Sequence, residues 1–212
     1  MANSLKDGTE RIVSMIIASL KPILVLIAGP TCSGKSYLAS VLEKELIARH
    51  WASSVIKQDD YFKDLNDPSL PKDGIGRRIF DVPSSYRNAL FAEHIKLLMR
   101  GSGIQSPEYE IATNSIMSEK GRFVSAAPVI IAEGLHVISS IGNCQCNTIK
   151  VYVNATEDIC LKSKTERDVA LLGVTPEMVE RVFRERILPY QRKTMKLQEE
   201  MADIVIFNNV RR

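Results

Sequence analysis

Gly29-Pro30-Thr31-Cys32-Ser33-Gly34-Lys35-Ser36 is the stretch on which the reading of this chain turns. It is a complete G-x-x-x-x-G-K-[ST] sequence, and its flanks supply the context that such a motif needs. Before it, Ile23-Leu24-Val25-Leu26-Ile27-Ala28 is uninterruptedly apolar, as in a strand buried on both faces. After it, Leu38, Val41, Leu42, Leu46 and Ile47 recur near helical spacing between Tyr37 and Arg49. Gly29 and Gly34 allow a tight turn whose successive N–H groups face inward, and the helix that follows adds the positive end of its dipole. Lys35 is placed to reach β- and γ-phosphates and the Ser36 hydroxyl to ligate Mg²⁺. Gly29, Pro30, Thr31, Cys32, Ser33, Gly34, Lys35, Ser36 and the adjoining Tyr37 are thus expected to hold a nucleoside triphosphate.

The remaining composition is that of an ordinary globular chain. Its 212 residues suffice for one sheet covered by helices on both sides, with 45% hydrophobic and 25% charged residues. A net charge of +3, with no long run of Lys or Arg, does not point to nucleic acid. Lys21 and Pro22 interrupt the longest apolar region, Ile12 to Ala28, so no membrane span is expected, and with no export signal the cytoplasm is the expected location. Ile12, Val13, Ile16, Ile17 and Leu20 suggest an amphipathic helical lead-in over residues 1–21, ahead of a single domain over 22–209. Cys32, Cys144, Cys146 and Cys160 lack the paired spacing of a zinc site, and reduced thiols are expected.

The rest alternates in α/β fashion. Strands are expected at 54–57, 129–132, 148–153 and 204–207. Helices are expected after Ser84/Ser85, from Thr156 to about Arg167, and from the Thr175-Pro176 pair to about Glu199. Residues 63–78 and 101–122 read as irregular. The pattern implies a three-layer α/β fold around a parallel sheet. Ligands in such sheets sit beyond the carboxyl ends of the strands. That rule selects Gln58-Asp59-Asp60-Tyr61-Phe62 and Glu133-Gly134, beside the glycine loop. A phosphate cradle, a metal ligand and a carboxylate to take a hydroxyl proton are the parts that phosphoryl transfer needs. Asp59, first after its strand, is the preferred base; Glu133 is a candidate ligand for Mg²⁺.

Further segments follow in order: Phe80-Asp81-Val82-Pro83, Pro107-Glu108-Tyr109-Glu110, Ile130-Ile131-Ala132-Glu133-Gly134, Arg167-Asp168 and Ala202-Asp203-Ile204-Val205-Ile206. With the loop and the Asp59 segment, this string resembles the phosphoribulokinase/uridine kinase family of P-loop kinases over about residues 22–207. The resemblance implies a P-loop nucleoside triphosphate hydrolase-type, nucleoside kinase-like fold with a small lid around 168–176, using ATP and Mg²⁺. It further implies Asp59 as the base acting on a ribose 5′-hydroxyl, Asp81 as a ligand of the ribose hydroxyls, and Tyr109 and Phe62 as walls of the acceptor pocket. Arg167 corresponds to an arginine that follows the phosphates. A homo-oligomer is compatible with this.

The chain departs from the uridine kinase pattern at defined places. Asn114 and Ile116 stand where a base-holding His and Arg follow the tyrosine motif, Ser163-Lys164 replaces an Arg pair, and Leu172-Gly173-Val174 replaces Arg-Gly-Arg. Lysine does not reproduce the bidentate phosphate contacts of arginine. The implied acceptor is the 5′-hydroxyl of uridine or cytidine. Alternatives are a same-fold kinase for nicotinamide riboside, pantothenate, ribulose phosphate or a glycerate-like acid, and a catalytically inactive nucleotide-binding module.

Overall fold

The computed structural model describes residues 5–141 and 145–209, so Cys144 lies outside the described residues. In chain order the elements begin with helix α1 (Leu5–Ala18), strand β1 (Ile23–Ala28), α2 (Lys35–Ala48) and β2 (Ser53–Lys57). Then come α3 (Asn88–Met99), the short strands β3 (Ile104–Gln105), β4 (Glu108–Glu110), β5 (Ser115–Ser118) and β6 (Phe123–Val124), and β7 (Val129–Glu133). The chain ends with α4 (Val137–Ile141), β8 (Thr148–Asn154), α5 (Glu157–Leu172), α6 (Pro176–Val182), α7 (Leu188–Glu200) and β9 (Ile204–Phe207).

Five strands form one sheet in the order β2-β7-β1-β8-β9, with every pairing parallel. β1 lies at its centre, which is why all six of its residues are buried and its sequence shows no polar alternation. The period-two geometry of the strands divides the core into two layers. Ile23, Val25, Ile27, Val129, Ile131, Val151, Val153, Ile204 and Ile206 pack with α1 and α2. Leu24, Leu26, Ala28, Ile56, Ile130, Ala132 and Tyr152 pack on the opposite side with residues of α3 and α4 and with Met195 of α7. The lead-in helix belongs to this core, since Ile12, Val13 and Ile16 are buried against the sheet, whereas Ile17 is half-exposed and Leu20 lies outside the helix in solvent.

The structure departs from the sequence reading in four places. Residues 101–122 are not wholly irregular: β3 pairs with β6 and β4 with β5, both antiparallel. Ser84 and Ser85 do not cap α3; with Pro83 they begin a 3₁₀ turn, and α3 starts at Asn88. The helix opened by Thr175 is not one α-helix, because residues Phe183–Ile187 form a π-turn between α6 and α7. Pro189 near the start of α7 has no N–H to give, a local gap in the helical ladder that accompanies the change of pitch. Finally, Cys32 and Cys160 are free thiols, but Cys146 is disulfide-bonded, so the expectation of reduced thiols fails for it. Among the described residues no helix is long and apolar enough to cross a membrane.

Ile131 is fully buried between β2 and β1. Ile131→Ala is expected to lower the unfolding free energy by about 2–5 kcal/mol, the range for a truncation that leaves a cavity. Chemical denaturation of parent and variant checks this; a loss well under that range would mean that the layer collapses around the gap.

Candidate active site

The carboxyl ends of β1, β2 and β7 open into one cavity of about 470 Å³. Its walls include Thr31, Cys32, Gly34, Lys35, Ser36 and Tyr37 from the loop and the start of α2, with Asp59, Phe62, Asp81, Tyr109, Glu133 and Arg167. Asp59, Asp81, Glu133, Phe62, Tyr109, Lys35 and Arg167, the side chains given roles from the sequence, thus all line this one cavity. Asp60 is not among the lining residues. Asp59 and Asp60 sit on a 3₁₀ turn (Gln58–Tyr61), where neighbouring side chains diverge by about a third of a turn.

The loop is built by backbone that other residues would not tolerate. Gly29 has φ of 151°, and a Cβ there would meet the Val153 carbonyl oxygen at 2.3 Å. Gly34 has φ of 103°, and its Cβ would meet Asn208 Nδ2 at 2.7 Å. That same Nδ2 donates to the Ser33 carbonyl at 2.9 Å and holds the loop from the end of β9. Cys32, with φ of 55°, adopts the left-handed region without being glycine. Lys35 Nζ donates to the Pro30 carbonyl at 2.7 Å, and its ammonium therefore lies over the loop's own opening. Ser33 Oγ is buried with no hydrogen-bond partner.

Beside the loop stand carboxylates withdrawn from water. Burial raises the Glu133 carboxyl to about 7; the neighbouring Asp59 adds to this, while Lys35 and the Ser36 hydroxyl act against it. Ser36 Oγ donates to Glu133 Oε1 at 3.0 Å. Burial also pushes Asp59 above the usual carboxylate range, against the opposing pull of Lys35, Arg167 and Lys57. Asp81 is raised by burial as well, with the opposing help of a hydrogen bond from Gln191. Among the described residues, no three His, Cys, Asp or Glu converge to cage a metal. One hydroxyl and one or two carboxylates, completed by phosphate oxygens and water, is the donor set that suits Mg²⁺. The residues present therefore fit both a triphosphate and its cation.

Aromatic side chains form the far wall. Phe62 stacks on Tyr86 with centroids 4.2 Å apart and lies 5.3 Å from Tyr109. Of the two residues at the base-reading places, Asn114 lines the cavity and Ile116 does not; Ile116 pairs with Tyr109 across β4 and β5. The cationic side is held by Asp168, which accepts from Lys164 Nζ at 2.6 Å and Arg167 Nε at 2.8 Å.

Gln58 stood in the selected strand-end segment without a role of its own, while His136, Gln191 and Tyr86 escaped the sequence reading. Gln58 Oε1 accepts from the His136 backbone N–H at 2.8 Å, and His136 Nε2 lies 3.2 Å from the Asp81 carbonyl. Gln191 joins Asp81 to the loop, and Tyr86 completes the aromatic wall. The signal for Gln191 was present in α7: Leu188, Gln191, Met195 and Gln198 form its buried stripe, so polar residues stand where apolar ones are the rule.

A strand–loop–helix phosphate cradle facing buried carboxylates across a parallel-sheet edge defines a P-loop kinase. Comparison makes the relationship specific: the chain belongs to the Phosphoribulokinase / Uridine kinase family, whose model matches residues 24–211. A uridine kinase of Vibrio cholerae is 30% identical over 186 residues, which is 87% of this chain and 86% of that protein. A uridine kinase of Tolumonas auensis is 28% identical over the same shares. Among solved structures, a possible uridine kinase from Bacillus stearothermophilus superposes with a TM-score of 0.66 at 16% identity, covering 95% of this chain and 98% of that one. A putative fructose transport system kinase from Silicibacter gives a TM-score of 0.72 at 16% identity and the same coverage, and both likenesses speak to fold alone.

The raised Glu133 carboxyl has a stability consequence whose sign follows from linkage. The folded chain keeps this proton up to about 7, whereas the unfolded chain releases it near the ordinary value of 4.5, so the group's contribution falls as pH rises between the two. Glu133→Gln removes that loss. The ligand-free variant is expected to gain on the parent as pH rises from 4.5 to 7, by about 3 kcal/mol in all. Denaturant melts across this range test it; parallel stability curves would refute the placement of this charge.

Proposed function

We propose that this protein is a Mg-ATP-dependent kinase that phosphorylates the 5′-hydroxyl of a pyrimidine ribonucleoside, uridine or cytidine. The observation that carries the reading is the shared cavity, which Asp59, Asp81 and the phosphate loop line together. The uridine kinases among its relatives support the choice of acceptor. In this reading ATP, with Mg²⁺, supplies the γ-phosphoryl group.

Asp59 takes the proton of the acceptor hydroxyl as its oxygen bonds to the γ-phosphorus and ADP departs. A carboxylate raised by burial is a better base near neutrality than one in water. Lys35, released from the Pro30 carbonyl, stabilises charge on the β/γ-phosphates, and Arg167 assists from α5. Ser36 and Glu133 hold the cation, Asp81 holds the sugar hydroxyls, and Tyr109 and Phe62 bound the acceptor. We take residues 168–176, where α5 ends at a left-handed Gly173 and α6 begins, as the lid.

A second reading keeps the chemistry and changes the acceptor to another hydroxyl metabolite. It is favoured by Ile111 and Asn114 on the cavity wall, neither of which supplies the cation or imidazole expected for reading a pyrimidine.

Asp59→Asn should lower kcat by about 10²–10⁴-fold, the range for removal of a general base, and leave Mg-ATP affinity nearly unchanged. ADP release measured over uridine, cytidine, 2′-deoxyuridine and a panel of non-nucleoside alcohols tests acceptor and base together. Turnover confined to acceptors without a ribose would reject the nucleoside reading in favour of the second. An active Asp59→Asn beside a crippled Asp60→Asn would move the base by one residue.

A further inference from the structure

Gln191 is 3% exposed and makes two side-chain hydrogen bonds to different halves of the cavity. Its Oε1 accepts from the Thr31 backbone N–H, the first N–H of the loop after Pro30, at 3.2 Å. Its Nε2 donates to Asp81 Oδ1 at 3.1 Å. One amide therefore spans from the phosphate loop to the carboxylate assigned to the acceptor. We propose that Gln191 is a positioning residue for phosphoryl transfer, fixing the acceptor-binding carboxylate in register with the phosphate loop. The inference rests on the kinase reading above and adds a residue to it.

Three observations carry it. The polarity of the amide matches its task, because a backbone N–H needs an acceptor and a carboxylate needs a donor, and an uncharged amide offers the two on separate atoms at the end of a long side chain. The cost of placing it is visible. Gln191 occupies the buried stripe of α7 among Leu188 and Met195, where an apolar side chain would pack without any polar partner to satisfy. The π-turn at Phe183–Ile187 immediately precedes α7 and sets which of its residues faces the loop. One extra residue in a turn rotates everything after it by about 100° around the helix axis.

The bond also changes what Asp81 can offer. With one acceptor site of Oδ1 engaged by Gln191, the direction in which the remaining sites of the carboxylate point is set by the strut. The carbonyl of the same residue lies 3.2 Å from His136 Nε2, so Asp81 is held at side chain and backbone from two sides. In-line transfer depends on such registration, since displacement of a reacting group by about 1 Å costs on the order of 10²-fold in rate.

The test compares the full-length parent with Gln191→Met and Gln191→Glu. Methionine keeps length and suits the flanking Leu188 and Met195 but makes neither bond; glutamate still accepts from Thr31 but sets a second carboxylate against Asp81. The measurements are kcat and KM for the acceptor, the Kd and binding stoichiometry of Mg-ATP by calorimetry, and ATP hydrolysis without acceptor relative to transfer. Both variants are expected to bind Mg-ATP at full stoichiometry and lose about 10²-fold in kcat/KM for the acceptor. The acceptor KM should rise, and the ratio of futile hydrolysis to transfer should increase. A weakened Mg-ATP Kd with acceptor KM unchanged would make Gln191 a mere prop of the loop and overturn the proposal. So would a lower kcat with unchanged acceptor KM and unchanged coupling ratio, or a Gln191→Glu variant as active as the parent. If the parent forms no phosphorylated product from any acceptor, the kinase reading falls and the strut's role falls with it.

Discussion

Asp59, Asp81 and Glu133 are kept out of water at one edge of the sheet, and burial raises all three. Nearby cations temper this without cancelling it, with Lys35 and Lys57 acting on Asp59 and Glu133, and Lys164 on Asp81. A buried carboxylate without full compensation is costly, and a fold does not gather several without return. Facing them is a loop whose N–H groups and helix terminus favour anions. In the proposed reaction a divalent cation held by Ser36 and Glu133 would reconcile the acidic side chains with the anion cradle, and Lys35 would leave the Pro30 carbonyl for the phosphates. The ligand-free charge arrangement is thus tense in the way that binding relieves.

The sheet register produces this juxtaposition. Ile27 of β1 and Lys57 of β2 both pair with Glu133 of β7, so those strands end level and release their next residues at the same height. The chain leaving β1 becomes the loop, that leaving β2 the Asp59 turn, and that leaving β7 reaches Gly134. Gly134 is required there because a Cβ would lie 2.3 Å from Gln58 Cβ. The close approach lets Gln58 reach the His136 N–H, and His136 in turn reaches Asp81. A series of short contacts thereby runs from the second strand to Asp81.

What could be read from sequence divides along the range of the interactions. The strand–loop–helix unit is local: its apolar run, glycines and helical periodicity lie within residues 23–48, and each expectation there matches an element. The positions of the other main strands were legible because buried parallel strands are short apolar runs, as Val129–Ala132 and Ile204–Phe207 show, whereas their order in the sheet was not. The hairpin of β4 and β5 was not legible, since exposed three- and four-residue strands with mixed polarity carry no usable period. The π-turn was hidden too, because Thr175 and Pro176 announce a helix but nothing in the charge pattern reports its pitch. Cavity placement of Asp59, Asp81 and Glu133 followed from the strand-end rule and the family string together. Gln58 and His136 neighbour Asp59 and Glu133 in sequence, but the contacts that join Gln58 to His136, His136 to Asp81, and Gln191 to Thr31 and Asp81 span 55 to 160 residues, so no local pattern pairs them.

Polar residues buried on α7 extend this point to the whole domain. Gln198 accepts from the Ser139 N–H and donates to the Leu135 carbonyl, so it fastens α7 to the turn and helix that follow β7. Seven residues earlier on the same buried stripe, Gln191 fastens α7 to the phosphate loop and to Asp81. A seam of leucines at these positions would have been non-directional and at least as stable. Hydrogen bonds instead fix distance and angle, so α7 is held in one register against the sheet edge. A last helix that serves mainly to cover the core has no need of that exactness. One that carries the proposed strut between the loop and Asp81 does, with Gln198 fastening the helix and Gln191 making the span.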